Sequence, residues 1–212
     1  MALLDIHTHR APENPYQAIR SCRPEEFSPD AEGYFSIGLH PWYLSDEHIK
    51  EADRWKELIF LPQVRAVGEA GLDKLTDTPF PLQQEFLIRQ IGWAEESGKP
   101  LILHAVRTTA ELIALKRQYT PSVPWIIHGF RGKRELAREY IRHGFYLSFG
   151  ATYQEDALRD VPMERLFLET DESFEDIHEL YQRASQIKKM SVADFTGNIL
   201  RNIDSVFEIP AR

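Results

Sequence analysis

The chain has 212 residues and a formal net charge of −8, from 25 basic and 33 acidic side chains. The length predicts one domain, residues 1–212, with a core of its own. Coating nucleic acid needs clustered lysines and arginines, so the acidic balance argues against a broad surface of that kind. The longest apolar runs are too short to cross a bilayer, so no membrane partner is expected, and no motif identifies a protein partner.

A single cysteine, Cys22, excludes an internal disulfide and is typical of a reducing compartment. The N-terminus has neither a basic region nor a long apolar segment, so no export signal is indicated. We therefore expect a soluble, cytoplasmic protein in which Cys22 is a small buried side chain.

Short apolar runs predict eight strands. These runs cover about residues 2–9, 17–22, 34–40, 64–70, 101–106, 124–129, 145–150 and 166–171. From the third strand onward helical patterns separate the strands, and they include helices over 82–97 and 132–143. Residues 175–207 predict two further helices, with Ser191 as the N-cap of the second.

Strands that alternate with helices pair in parallel, because each crossover needs a dozen or more residues. The stretch 10–33 contains four prolines and has no room for a full helical crossover. The pattern therefore predicts an α/β protein, a (β/α)8 TIM-type barrel with abbreviated first βα units.

Imidazoles and carboxylates stand at the ends of six predicted strands. They are His7, His9, His40, Glu69, His104, His128 and Asp171. Active sites of such barrels lie at the C-terminal ends of the strands, so we expect these side chains on one face. Asp5 shares the face of His7 and His9, because side chains alternate along a strand.

This cluster of polar groups predicts a metal centre, because buried charges are costly unless they are paired or bound to metal. The ligands are all nitrogen and oxygen, which suits Zn, Mn, Fe, Co or Mg. Their number exceeds what one catalytic ion needs and favours two ions that share a carboxylate.

The motifs resemble the TatD family of metal-dependent deoxyribonucleases over nearly the whole chain. They appear in the family's order: DIHTH at 5–9, GLHP at 38–41, VGEAGLD at 67–73, LILH at 101–104, HGFRG at 128–132 and ETD at 169–171. The resemblance implies that His7, His9 and Asp171 hold one metal ion. His104 and His128 would hold the second ion, and Glu69 would bridge the two.

The same resemblance implies further roles around these ligands. His40 would contact the substrate or its phosphate, and Glu169 would support its neighbours from behind. We also expect Asp5 to support the ligands. The implied reaction is phosphodiester hydrolysis, in the manner of a 3′–5′ exonuclease on DNA, by water that two divalent ions (Mg, Mn, Zn or Co) activate. Asp171 is the expected proton acceptor, and Glu69 the second catalytic carboxylate.

Segments that border the substrate cleft in the family differ here. Arg107 stands one place later than the family's arginine after the strand-5 histidine, and Glu172–Phe174 follow ETD where the family has a small residue and a proline. Four basic residues could form a rim that binds phosphate, or they could be the solvent-exposed residues of ordinary helix starts. They are Arg107, Arg131, Lys133 and Arg134. Three aromatic residues could stack on a base or pack in the protein, namely Trp42, Tyr43 and Phe130.

Three functions stay open at this stage. The first is a deoxyribonuclease or an enzyme for small phosphoesters, and the second is an amidohydrolase-type enzyme that cleaves C–N or C–O bonds. The third is a non-catalytic metal-binding relative. Glu69 favours the first, because many amidohydrolases carry a carboxylated lysine at that strand end. The intact ligand set argues against the third.

Overall fold

A computed structural model describes residues 5–209 of the chain. They divide into two compact units, one formed by residues 5–20 with 126–209 and the other by residues 21–125. The single domain expected from the chain length stays a prediction. Within the described residues, no helix combines the length and the apolar character that crossing a membrane requires.

Eight strands and seven α-helices lie between residues 5 and 209. The strands are β1 (Asp5–Thr8), β2 (Ala18–Cys22), β3 (Tyr34–Ile37), β4 (Val64–Asp73), β5 (Leu101–Val106), β6 (Trp125–Ile127), β7 (Tyr146–Phe149) and β8 (Leu166–Leu168). The helices are α1 (Asp46–Ile59), α2 (Phe80–Ser97), α3 (Thr109–Tyr119), α4 (Arg134–Arg142), α5 (Glu155–Asp160), α6 (Ile177–Lys188) and α7 (Val192–Phe207).

The strands follow one another in the sheet in chain order, which is the order of the predicted (β/α)8 barrel. The first βα units are abbreviated, as predicted, because the described stretch between β1 and β3 contains β2 and a 3₁₀ turn at Pro24–Glu26 but no α-helix. The short helix α5 was not predicted. Residues 2–4 of the first predicted strand lie outside the described residues.

Several predicted strands extend too far at their C-terminal ends. His9 and His128 lie one residue past β1 and β6, and His40 and Asp171 lie three residues past β3 and β8. Placing these four residues on strands was therefore wrong. The apolar run misleads at Leu39, which is buried, because its amide and carbonyl groups bond with a side chain of α2 instead of a neighbouring strand.

In the unit of residues 21–125, β3, β4 and β5 run parallel, with Ile37 opposite Val67 and Gly71 opposite His104. Gly71 has a φ of +143°, and a Cβ there would lie 2.1 Å from the carbonyl oxygen of His104. Only glycine allows this close approach of two strands. Cys22, the last residue of β2, is half-buried because the chain leaves the strand there, so the prediction that it is buried was wrong.

In the other unit, β6, β7 and β8 run parallel, and Thr8 of β1 bridges Asp171 just beyond β8. The core beneath these strands contains large aromatic side chains, among them Phe149, Phe167 and Phe195, each fully buried. The predicted cap of α7 is confirmed, because the Ser191 hydroxyl accepts a hydrogen bond from the Asp194 amide at 3.1 Å.

Candidate functional site

Four residues of the first unit, His7, His9, His128 and Asp171, form what we call the His7 cluster. Nε2 of His7 and Nε2 of His9 lie 3.8 and 3.6 Å from Oδ1 of Asp171. The ring centres of His7 and His128 are 4.3 Å apart, and ligand atoms of His7, His128 and Asp171 all lie within 4.8 Å of one another. Neighbouring donors around a tetrahedral ion with bonds of about 2.1 Å lie roughly 3.4 Å apart. The donors of this cluster therefore have the chemistry and the spacing that a divalent ion needs.

Main-chain bonds to β1 hold Asp171 beside these histidines. The Asp171 amide donates to the carbonyl of His7 at 2.9 Å, and the amide of His9 donates to the carbonyl of Asp171 at 3.1 Å. The hydroxyl of Thr8 also donates to the Asp171 carbonyl, at 3.2 Å. The φ of Asp171 is +55°, a left-handed conformation that aspartate adopts more readily than most residues. These bonds hold the main chain of Asp171 and thereby direct its carboxylate toward the two histidines.

Glu169 lies behind the His7 cluster and is fully buried. Its Oε1 accepts a hydrogen bond from the Gly129 amide at 2.6 Å and lies 3.2 Å from Nδ1 of His128. Burial alone raises the pKa of Glu169, but the hydrogen bond with His128 and the charges of His128 and His7 outweigh it, so the pKa lies below its usual value. A carboxylate on one ring nitrogen orients the other nitrogen for a metal ion.

Asp5 joins β1 to the residue that precedes Asp171. Its carboxylate accepts hydrogen bonds from the His7 amide at 3.2 Å and from the Thr170 amide at 3.1 Å and hydroxyl at 2.6 Å. Burial raises the pKa of Asp5 to about 7, against the lowering effect of these hydrogen bonds. Asp5 and Glu169 thus contact the predicted ligands, and their supporting roles stay predictions.

The unit of residues 21–125 holds a second group, His40, Glu69, Asp73 and His104, which we call the His104 cluster. Oε1 of Glu69 lies 3.1 Å from both Nε2 of His40 and Nδ1 of His104. Nε2 of His104 lies 3.1 Å from Oδ2 of Asp73. Ligand atoms of His40, Glu69 and His104 all lie within 4.8 Å of one another. These nitrogen and oxygen donors also suit a divalent ion.

Asp73 is a member of this cluster that the sequence prediction missed. It stands four residues after Glu69 on β4, so strand alternation puts both carboxylates on one face. Asp73 accepts hydrogen bonds from the Trp42 indole at 2.6 Å and the Leu75 amide at 2.7 Å. Burial alone raises the pKa of Asp73, but these bonds and the contact with His104 outweigh it and lower the pKa. Extending the predicted strand to the end of the VGEAGLD motif would have found it.

Two buried glutamines of α2 hold the main chain next to the His104 cluster. The Gln90 amide group accepts from the Leu39 amide at 2.7 Å and donates to the Leu39 carbonyl at 3.2 Å. Gln83 accepts from the Asp73 amide at 2.8 Å and donates to the carbonyls of Asp73 at 3.0 Å and Thr78 at 2.8 Å. The glutamines are seven residues apart, which is about two helical turns and therefore the same face.

The predicted substrate contacts are placed in different ways. Arg107 directly follows β5, Arg131 lies in the loop between β6 and α4, and both are exposed. Arg134 of the predicted basic rim already forms an ion pair, because its Nε lies 3.1 Å from a carboxylate oxygen of Asp160. Binding of phosphate by Arg107 and Arg131 stays a prediction.

Phe130 packs in the protein, whereas Trp42 and Tyr43 are open to solvent. The Phe130 ring is buried against Tyr140 and Phe149, at 6.2 and 5.5 Å between ring centres. Trp42 and Tyr43 are 52% and 50% exposed, next to His40. The possibility of a base stacking on Phe130 is therefore removed by its burial.

Parallel strands in barrel order, with imidazole and carboxylate donors at their C-terminal ends, define a metal-dependent hydrolase of the (β/α)8 type. The model of the TatD related DNase family matches residues 13–208. The chain belongs to this family, and the resemblance inferred from the motifs is confirmed.

Named relatives agree with this assignment. YabD of Bacillus subtilis (strain 168), named an uncharacterized metal-dependent hydrolase, is 30% identical over 198 residues, which span 83% of this chain and 78% of YabD. The protein named 3′-5′ ssDNA/RNA exonuclease TatD of Edwardsiella piscicida is 32% identical over 148 residues. That alignment spans 61% of this chain and 57% of the relative's length.

Solved structures confirm the predicted fold. The crystal structure of the TatD homologue YjjV from Escherichia coli K12 has a TM-score of 0.83 at 22% identity, over 98% of each chain. A TatD family hydrolase from Entamoeba histolytica has a TM-score of 0.79 at 15% identity, also over 98% of each chain. The (β/α)8 barrel is thus the fold of this chain.

Proposed function

We propose that the chain hydrolyses phosphodiester bonds of DNA as a 3′–5′ exonuclease that uses two divalent ions. The observation that carries this proposal is that each unit has its own group of three donors, His7 with His128 and Asp171, and His40 with Glu69 and His104. Membership of the TatD related DNase family and the relative named as an exonuclease support the substrate class. The location in the cytoplasm, expected from the sequence, is part of the proposal.

One ion is assigned to each group of donors. This assignment gives His128 to the ion of His7 and Asp171, whereas the family resemblance pairs His128 with His104. A divalent ion supplies Lewis acidity toward a phosphoryl oxygen and lowers the pKa of water. In the His7 cluster, Glu169 fixes the ring of His128, and the main chain of β1 fixes the carboxylate of Asp171. The bridging role of Glu69 and the ligand role of His9 stay predictions from the family resemblance.

Asp171 is the proposed proton acceptor because it is the most open carboxylate of the site. Its side chain is 24% exposed, whereas those of Glu69 and Glu169 are 6% and 0% exposed. Asp171 would therefore accept the proton that the attacking water releases, since Glu69 and Glu169 are buried and engaged by histidines. Arg107 and Arg131 are proposed to contact the phosphate groups of the substrate. His40, for which the family resemblance implies the same role, is proposed here as a donor to the ion of Glu69 and His104.

The test is hydrolysis of single-stranded DNA, labelled at either end, by metal-stripped protein to which Mg, Mn, Co or Zn is returned. We expect stepwise loss of nucleotides from the 3′ end that requires metal and vanishes in Glu69→Ala. Glu179→Ala, which removes an exposed carboxylate from α6, should keep full activity. DNA that stays intact with both ions bound would overturn the proposal.

Two measurements separate the roles of the residues. Metal analysis should find two ions per chain in the natural protein and one in Glu69→Ala. Asp171→Asn should lose about 10²–10⁴-fold in kcat, which is the usual contribution of a positioned acid or base. Near-normal turnover of Asp171→Asn with metal retained would remove Asp171 from the proton transfer.

A further inference from the structure

Trp42 is an exposed aromatic residue whose orientation is nevertheless fixed. It lies two residues after His40, and it is 52% exposed. Its indole N–H donates to Oδ2 of Asp73 at 2.6 Å, and its amide donates to Nδ1 of His40 at 3.1 Å. The Trp42 carbonyl also accepts a bond from the hydroxyl of Thr78 at 3.4 Å. The ring is thus held at both its polar atom and its main chain.

The ring of Trp42 stands directly beside the donors of the His104 cluster. Its centre lies 4.9 Å from the ring of His40 and 5.7 Å from the ring of His104. Both imidazoles cross it at steep angles, 86° and 76°, and so does Tyr43, at 72°. Among the described residues, no ring stacks in parallel on Trp42. The exposed surface of the indole is therefore available to a flat partner.

Tyr43 has a similar exposure but a different environment. The guanidinium of Arg23 lies over its ring at 5.1 Å, so one face of that ring already has a cation upon it. Because the Trp42 N–H is bonded to Asp73, Trp42 offers a partner its apolar surface and no free donor. Such a flat apolar surface suits the face of a nucleobase, and it does not suit a phosphate.

We propose that Trp42 is the platform on which an unpaired nucleobase of the substrate stacks, next to the His104 cluster. This inference rests on the proposed function and narrows its substrate class to phosphodiesters that carry bases. A base in a duplex is already paired and stacked on its neighbours, so the platform favours single strands. Sequence preference should be weak, because every base has a flat face.

The experiment compares two substrates in metal-loaded protein. One is a single-stranded oligonucleotide, and the other has the same length but abasic sites at its 3′ end. Trp42→Ala removes the platform, and Trp42→Phe keeps a ring but loses the N–H that bonds Asp73. Phe60→Ala is the matched control, because Phe60 is also 52% exposed but follows α1, at the opposite end of the strands.

We expect Trp42→Ala to lower kcat/KM on the normal oligonucleotide by roughly 5- to 150-fold, mainly through KM. On the abasic substrate the same variant should stay within about twofold of the natural protein. Trp42→Phe should recover most of the loss, and Phe60→Ala should show none. An equal loss on both substrates would overturn the inference, because Trp42 would then act only by holding Asp73.

Binding is measured separately so that a failed hydrolysis assay does not decide the question. Trp42 is the one exposed tryptophan, since Trp55, Trp93 and Trp125 are at most 7% exposed. An oligonucleotide with cleavage-resistant phosphorothioate linkages should quench the fluorescence of the natural protein but not that of Trp42→Phe. Quenching by this oligonucleotide, together with no hydrolysis of the normal one, would contradict the proposed function but support the stacking of a base on Trp42. No difference in quenching between the two proteins would refute the platform itself.

Discussion

Gln83 offers a direct test of how the His104 cluster is held. Methionine has nearly the same length and shape as glutamine but makes no hydrogen bonds of comparable strength. Gln83→Met leaves the amide and carbonyl of Asp73 without their partner, where Asp73 is only 3% exposed. Each orphaned buried group costs about 1–3 kcal/mol, so the two together cost about 2–6 kcal/mol. Burying the more apolar methionine returns about 1 kcal/mol.

The free energy of unfolding should therefore fall by about 1–5 kcal/mol in Gln83→Met, as measured by urea denaturation. Gln84→Met is the matched control, because it makes the same chemical change one residue later at a half-buried position. The control should stay within about 0.5 kcal/mol of the natural protein. A loss for Gln83→Met no larger than that of the control would refute the view that these hydrogen bonds hold Asp73 in place.

Three further outcomes are expected. Gly71→Ala should lower the free energy of unfolding by more than about 3 kcal/mol, because the new Cβ would clash with the neighbouring strand. Gly92→Ala should raise it by about 0.5–1 kcal/mol, because a Cβ there has nothing within 4 Å, and equal effects of the two variants in thermal melts would contradict this. Glu169→Gln should weaken metal binding by about 10–100-fold in calorimetric titrations, and an unchanged affinity would count against its supporting role. Burial lowers the pKa of Lys99 from 10.5 to about 8, so between pH 8 and 10.5 the unfolded chain binds more protons and the free energy of unfolding should rise with pH. Lys99→Met should lose part of this pH dependence, and an identical pH dependence in the variant would exclude Lys99 as its source.

The order of strands and helices could be predicted from the sequence because alternation of short apolar runs with helical patterns is a local property. The residues at which the strands end were predicted less well from the sequence. Leu39 continues the apolar run of β3, yet its main chain bonds to Gln90, which lies 51 residues away in the sequence. At β4 the error has the opposite sign, because Gly71 interrupts the apolar run although the strand continues to Asp73. Both errors come from partners that are remote in the chain.

Part of the candidate site could likewise be predicted from the sequence, and part of it could not. Histidines and carboxylates at strand ends were visible because few other roles explain such residues after apolar runs. The two glutamines of α2 were not recognised, because a helical pattern treats polar residues as solvent-facing, and Gln83 and Gln90 are only 1% exposed. Their role becomes visible only when the loop after β3 and the end of β4 are placed against α2.

Gln83 and Gln90 grip only main-chain atoms of their targets, never a side chain. Their hold is therefore indifferent to which side chain stands at position 39 or 73. Residues in the loops after these positions can therefore change while the two peptide units stay where they are. Substitutions that change the substrate or metal preference therefore need not disturb the scaffold. Directed evolution of this unit should begin at residues 40–43 and 73–75 and leave both glutamines unchanged.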